Sequence, residues 1–536
     1  MSRTGTAVPE LRLQGRGASG GFARGRIHVR RSPQDSRSEA AAAVDLPTAV
    51  RIALSELRRL QQTADDTAAE ILQFQVELLN DPEFIAGALD AIEKGEPPAA
   101  AFRAAMQEHL RVYEEASSEY LRERAADVRD LRDRVLRAFS GERQFAPETL
   151  KEDCLLLVDD LTPSGFVELD LRHIKGVATR GGSPMSHVAM LARARGTPLV
   201  VGLRGIEPEL HGREALLDGD TGCLLVNPSE SSLRAYRLRE AARTARAHEE
   251  RLQASEPAVT PEGRRIAVYL NVDSVASLDQ APSEWFDGIG LARTELLFDC
   301  SSGVPDEATQ TAVYARLFEW CAGRPATIRL FDAGGDKPVP GLTAQSEANP
   351  FLGVRGVRAL LRHRDVLRAQ LRAIVKASAG RTTRILVPMV TIPEEMADVR
   401  AELRDVLRGS SVEGNAIRLG MMVETPAAAL TIERFDASEF FAIGTNDLLQ
   451  YLMAASRDST ELEYLHAPTT PALLAVVRRI VMRTQRSGRE VCVCGDAAAD
   501  LEGLRALIQA GVSAVSVPAH RAPAVKAAIR AGAAGR

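Results

Sequence analysis

In the last half of this chain, short apolar runs alternate with longer helical stretches, and the alternation repeats eight times. The runs are 266–272 (IAVYLNV), 288–292 (GIGLA), 327–332 (TIRLFD), 384–390 (RILVPMV), 417–423 (IRLGMMV), 439–444 (EFFAIG), 491–494 (VCVC) and 514–517 (AVSV). Apolar runs this short, bounded by turn residues, read as buried strands, and helical periodicity between them reads as β/α units. Eight units in roughly 275 residues match the size and count of a closed (β/α)8 barrel, the TIM barrel.

Upstream the texture differs. Residues 1 to about 33 carry LQGRGASGGFARGRIHV, where glycines alternate with short apolar pieces as in turns and strands. From about 36 to 141 the pattern is helical. Val50, Leu54 and Leu57 share one face, as do Ile71, Phe74 and Leu78, and as do Leu121, Val128, Leu131 and Val135. NDPEF at 80–84 reads as a helix stop and restart. Strands return with CLLLVDD, IKGVATR, PLVVGL, EALLDGD and CLLVNP. The shared texture predicts one α/β domain, built from 1–35 and 142–229, with the helical block 36–141 inserted into it. A charged helix within 230–258 then links it to a barrel over 259–536. The expected fold class is multidomain α/β.

Bulk properties narrow the function. A chain of 536 residues exceeds one ordinary core. Its net charge is −5, with no concentrated basic block, which gives no electrostatic case for nucleic acid or an anionic membrane. It lacks a secretory h-region and any apolar stretch of about 18 residues. Six scattered cysteines predict a reduced, cytoplasmic chain without a disulfide framework, and Cys492-Val-Cys494 has no second ligand pair for zinc.

In a barrel of this kind, reactive residues sit at the C-terminal ends of the strands. Arg293, Thr294 and Glu295 follow the second run. Arg329 lies in the third, Asp332 ends it, and GGDK (334–337) and NPFLGVRGVR (349–358) follow. Glu424 ends the fifth run, Asn446 and Asp447 the sixth, and Cys494 the seventh, with Asp496 just beyond. Arginine forks bind carboxylate and phosphate oxygens in bidentate fashion. Glu424 and Asp447 are hard oxygen ligands of the kind Mg²⁺ takes. Phosphoryl transfer needs little beyond such positioning and charge neutralisation. Outside the barrel, TRGGSPMSHVAMLAR (179–193) sets His187 on a Gly/Ser/Pro turn that enters a helix. An exposed imidazole there is a good nucleophile toward phosphorus.

Taken together and in order, SHVAMLAR, GIGLARTELLF, DAGGDK, NPFLGVRGVR, MVETPAAA, IGTNDLLQY and CGD resemble the signatures of the enzyme I family of the bacterial phosphotransferase system. These are the phosphoenolpyruvate-protein phosphotransferases, and the resemblance covers almost the whole chain. YLRERAADVRDLRDRVL (120–136) resembles the end of the helical domain that docks the small phosphocarrier HPr. The resemblance implies a swivelling phosphohistidine domain carrying His187 as the phosphorylated residue. It implies that Arg293, Arg329, Arg355, Asn446, Asp447 and Arg457 hold phosphoenolpyruvate (PEP), and that Glu424 and Asp447 hold Mg²⁺. Cys494 would protonate the enolate, releasing pyruvate. The implied protein is a homodimer through the barrel that passes the phosphoryl group to an HPr-like carrier.

The chain departs from the family pattern in places. Ser183 replaces a glycine and Met185 a threonine before His187, Leu330 replaces a threonine after Arg329, and Asp496 replaces a glutamate. The chain also ends sooner after its last run than its relatives do. Two other classes make different demands on the chain. A PEP synthase or pyruvate phosphate dikinase needs a nucleotide-binding domain, and the helical block holds no Gly-rich phosphate loop. A regulatory paralogue without turnover would have no need of His187, Glu424, Asp447 and Cys494 together.

Overall fold

The computed structural model describes residues 9–30, 44–61, 66–114, 119–140, 152–184, 186–298, 300, 303–335, 339–343, 347, 349–410, 416–456 and 462–532, with the side chains of 66–71, 114, 119–124, 126, 140, 187, 194 and 463 outside that description. The chain forms two compact units, 1–242 and 243–536.

The first unit contains strands β1 (Leu11–Gln14), β2 (Arg16–Ser19), β3 (Phe22–Arg30), β4 (Cys154–Val158), β5 (Ile174–Thr179), β6 (Leu199–Val201), β7 (Glu214–Asp218) and β8 (Cys223–Val226). They make one sheet in the order β1-β8-β7-β3-β4-β5-β6-β2. β3 to β6 run parallel at its centre, and antiparallel pairs close both margins. β3 and β4 are neighbours from Arg26↔Cys154 to Arg30↔Val158, although more than a hundred residues separate them in sequence. Leu155, Leu156 and Leu157 are buried on the two faces of this centre.

Between β3 and β4 lie the helices α1 (Leu46–Gln61), α2 (Asp66–Asn80), α3 (Pro82–Glu93), α4 (Pro98–Glu114) and α5 (Glu119–Ser140). Their apolar stripes meet in a core of their own. Leu57, Val128, Leu131 and Val135 are fully buried there, while Leu54 is partly buried. On α2, Leu78 of the expected stripe packs against this core, and the most deeply buried residues lie beside it. Leu72, Gln75, Val76 and Leu79 face inward, whereas Phe74 and Leu78 are only partly buried; Ile71 and Leu121 are among the side chains not described. Leu72, Val76 and Leu79 form an apolar stripe, and a buried polar residue shares their face. Gln75 donates to Asp130 at 3.0 Å and to the Asp127 carbonyl at 3.2 Å, both on α5. The NDPEF break forms as its residues dictate, with Asp81 capping α3 by accepting from the Glu83 N–H at 2.9 Å and Pro82 at the first helical position.

Two short helices complete the unit: α6 (Pro163–Val167) and α7 (His187–Ala194). A long one, α8 (Glu230–Leu252), begins in the first unit and ends in the second. Leu233 is its only buried residue. Its early turns hold to the first unit, where Tyr236 meets the Phe22 ring edge-on at 5.6 Å and Arg239 lies 3.1 Å from Asp218.

The second unit is a closed barrel of eight parallel strands. These are β9 (Ala267–Val272), β10 (Ile289–Arg293), β11 (Ala326–Arg329), β12 (Thr383–Val387), β13 (Ile417–Val423), β14 (Phe440–Gly444), β15 (Glu490–Cys494) and β16 (Ala514–Val517). They follow the eight apolar runs. The third and fourth strands each end three residues earlier than their runs, which puts Asp332 on the loop beyond β11 rather than in the strand. Closure is completed by β16 pairing with β9, from Ala514↔Ala267 to Val517↔Leu270. Among the described residues, no helix is long and apolar enough to cross a membrane.

Candidate active site

At the C-terminal mouth of the barrel the strand ends enclose a cavity of about 180 Å³. Arg293, Arg329, Arg355, Glu424, Asn446, Asp447 and Cys494 all line it, joined by Glu295 and Asp332. Arg457 lies outside the described residues. His187 belongs to the first unit, so the candidate residues form two groups.

The arginines are held by carboxylates. Arg329, at the end of β11, pairs with Glu295 and reaches Asp332 at 3.3 Å. Arg355 is 3% exposed and lies between two acids. It is 2.9 Å from Asp332 and 3.2 Å from Asp447. Arg293 is looser, 3.2 Å from Asp273 and a quarter exposed. Burial alone would lower the pKa of both inner guanidiniums, but the facing carboxylates outweigh it and raise them, so both stay charged.

Glu424 is different. It is 1% exposed and accepts the Met389 N–H at 2.6 Å, and among the described residues no guanidinium is hydrogen-bonded to it. Burial, with Asp332 and Asp447 nearby, pushes its carboxyl up to about 8. The Met389 backbone has φ +57°, a left-handed conformation that a non-glycine residue adopts only under strain. The strained peptide aims its N–H at the carboxylate. Gly444, at the end of β14, leaves room for this group, because a Cβ there would stand 2.8 Å from Glu424 Oε2.

Cys494 is 1% exposed and donates weakly to the Ile443 carbonyl at 3.5 Å. Burial pushes its thiol up to about 12, so it is neutral and keeps its proton at physiological pH. The following Gly495 has φ +122°, and a Cβ there would collide with Thr445. Asn446 is fixed from both sides by one residue, since its amide donates to Asp496 at 3.2 Å and accepts the Asp496 N–H at 3.1 Å. Cys492 lines a separate cavity of about 150 Å³ with Arg384 and Tyr269, so the two cysteines do not share a site.

In the first unit, β5 runs into a turn and then α7. Ser186 caps that helix, accepting the Ala189 N–H at 3.3 Å, and His187 is its first residue. The His187 side chain and the whole of Met185 lie outside the described residues.

Sequence reasoning named Glu295, Asp332 and Asp496 by position but gave them no task. The structure makes them the partners that orient Arg329, Arg355 and Asn446. The signal lay in their places beside the arginines and the asparagine, but pairing across strands is invisible without the barrel's register.

The chemistry of the donor set suits a hard divalent cation. Glu424 and Asp447 have their carboxyl groups in one cavity, and burial beside Asp332 and Asp447 leaves Glu424 holding its proton in the absence of a cation, so a divalent ion arriving there would displace that proton. Among the described residues, no group of three or more His, Cys, Asp or Glu side chains is arranged to hold a metal. Such an ion would therefore need oxygens from substrate and water.

The family described as PEP-utilising enzyme, PEP-binding domain matches residues 247–533. Its N-terminal and mobile-domain counterparts match 14–124 and 150–222. A phosphoenolpyruvate-protein phosphotransferase of Geobacillus stearothermophilus is 33% identical over 96% of this chain and 92% of its own length. One from Staphylococcus carnosus is 33% identical over 87% of this chain and 83% of its own. A longer multiphosphoryl transfer protein of Xanthomonas campestris is 35% identical over 97% of this chain and 63% of its own. The chain thus belongs to the PEP-utilising enzyme family, among its phosphoenolpyruvate-protein phosphotransferases.

Proposed function

We propose that the chain takes the phosphoryl group of PEP onto His187, releases pyruvate, and passes the group to the histidine of a small HPr-like phosphocarrier. The observation that supports this best is the meeting of arginine forks, a buried carboxylate pair and a neutral thiol in one barrel-end cavity. PEP carries a phosphate and a carboxylate, the two groups that Arg293, Arg329 and Arg355 bind as forks. Arg457 completes that set in the proposal, and Asn446, pinned by Asp496, presents its amide to the same oxygens. Glu424 and Asp447 hold Mg²⁺, which when bound neutralises charge on the phosphoryl group.

In the transfer, an imidazole nitrogen of His187 forms the N–P bond as the bond from phosphorus to the enolate oxygen breaks. The enolate carbon takes the Cys494 proton and becomes pyruvate, and the thiolate regains a proton from water. A thiol whose proton is retained by burial suits this task, because it donates only to a strongly basic carbon. His187 is the first residue of α7, and the N-terminal end of a helix favours nearby negative charge. The same reading assigns carrier docking to 36–141 and swivelling of His187 to the α/β domain of 1–35 and 142–229. It also makes the protein a cytoplasmic homodimer through the barrel. A coupled assay with PEP, Mg²⁺ and an HPr-type carrier tests it. Pyruvate should appear in equal amount to phosphocarrier, and a failure to release pyruvate with any such carrier contradicts the reading.

A further inference from the structure

We propose that Arg355 is a built-in counterion that occupies Asp447 until PEP arrives, and so makes metal binding depend on substrate. This rests on the reading of the cavity given above. Arg355 spans two carboxylates with one fork. Its Nε and Nη2 face Asp332 at 3.3 and 2.9 Å, and its Nη1 and Nη2 face Asp447 at 3.2 and 3.4 Å. Both oxygens of one expected metal ligand are thus turned toward a guanidinium. Glu424, the other ligand, accepts only a backbone N–H among its described hydrogen bonds.

A divalent ion arriving at Asp447 without substrate would therefore stand beside a positive charge. In a site this buried the repulsion between them is only weakly screened. PEP changes the balance, since its phosphate and carboxylate offer Arg355 the same bidentate geometry with more negative charge. When the fork turns to PEP, Asp447 is released to the metal, and PEP oxygens complete the coordination.

The backbone makes this a side-chain movement. Gly334, at φ +109°, lies so close that a Cβ there would be 2.6 Å from Arg355 Cβ, and the Gly356 N–H is bonded to the Ala333 carbonyl at 3.0 Å. The Cα is therefore fixed while the guanidinium can rotate between Asp447 and a ligand. By linkage, whatever factor PEP adds to metal affinity, metal adds to PEP affinity, and Arg355 is the residue that carries that coupling.

The test uses Mn²⁺ as the metal, counted by the electron paramagnetic resonance of the free ion, with phosphoglycolate as an unreactive phosphate-carboxylate. In the full-length protein, phosphoglycolate should tighten Mn²⁺ binding about tenfold or more. Arg355→Met should bind Mn²⁺ without phosphoglycolate about tenfold more tightly than the unaltered protein, and the coupling should fall toward one. Because Arg355→Met takes one guanidinium away from two facing carboxylates, Asp332→Asn/Arg355→Met is the second variant, and it should show the same gain. Equal Mn²⁺ affinity of the unaltered protein and both variants without phosphoglycolate overturns the counterion role. Glu424→Gln separates that failure from failure of the metal assignment. If Glu424→Gln abolishes Mn²⁺ binding while the Arg355 variants gain nothing, the assignment stands and the counterion role falls. If Glu424→Gln leaves Mn²⁺ binding with phosphoglycolate unchanged, the metal assignment itself is wrong and the inference falls with it.

Discussion

Burial sets the chemical state of Cys494. A thiol held at about 12 is ionised to only about one part in ten thousand at pH 8, against roughly a quarter for an ordinary thiol. The sign follows from burial, which disfavours the thiolate and so keeps the proton on until strongly alkaline pH. Alkylation of Cys494 by iodoacetamide, followed by peptide mass spectrometry, should be at least about a hundredfold slower at pH 8 than for free cysteine and should still be rising at pH 10. A plateau near pH 9 would show an ordinary thiol and remove the basis for its proposed role as a retained acid. At this scale the motifs carried most of the information, because Arg, Glu, Asp, Asn and Cys at strand ends are chosen for their chemistry. The orienting partners were not legible. Glu295, Asp332 and Asp496 act through neighbours that only the closed barrel brings near, and the strained Met389 peptide leaves no mark in a sequence.

Among the elements, the helical block is tied to the sheet domain by a buried cation. Arg134 of α5 is fully buried and binds Glu56 of α1 at 2.8 Å, Ser164 of α6 at 2.8 Å and Glu168 at 2.5 Å. Nearby, the Ser164 N–H donates to Asp130 at 3.3 Å, and Gln75 of α2 bonds the same carboxylate. Removing one member of such a network strands the opposite charge in the interior, at a cost of about 3–5 kcal/mol. Arg134→Met should lower the calorimetric transition of the first unit by that amount and leave the barrel's transition unmoved. A shift under about 1 kcal/mol would show that α5 is held by its apolar stripe alone. Helices and strands were themselves readable, because period and run length report burial directly. The inward place of Gln75 on α2 is not legible, because Gln75 counts as polar in any apolar pattern, yet its two hydrogen bonds make it an inward residue. Such a residue is revealed only by its partners.

At the scale of the whole molecule the chain divides its chemistry between two cores. The barrel holds the arginines, the carboxylates and the thiol, while His187 belongs to the other unit. α8 is charged and nearly all exposed, with Leu233 its one buried residue, and its early turns bond to the first unit, so a cut after residue 242 falls in a helix segment that buries no side chain. In the proposed reading, exchange between His187 and a carrier histidine would swap one N–P bond for another and make no enolate, so it would need neither Cys494 nor Glu424. A 1–242 fragment should accept phosphate from a phosphorylated carrier and remain inert to PEP. Cys494→Ala in the full chain should likewise keep carrier exchange and lose PEP turnover by at least about a hundredfold. A fragment that labels itself from PEP would refute the division. The central claim is that phosphorus passes through His187, and labelling with ³²P-PEP and Mg²⁺ tests it most directly. The full chain should take up one phosphoryl group, labile in acid and stable in base, mapped to the peptide containing His187, and His187→Ala should take up none. Stoichiometric labelling of His187→Ala would contradict the account.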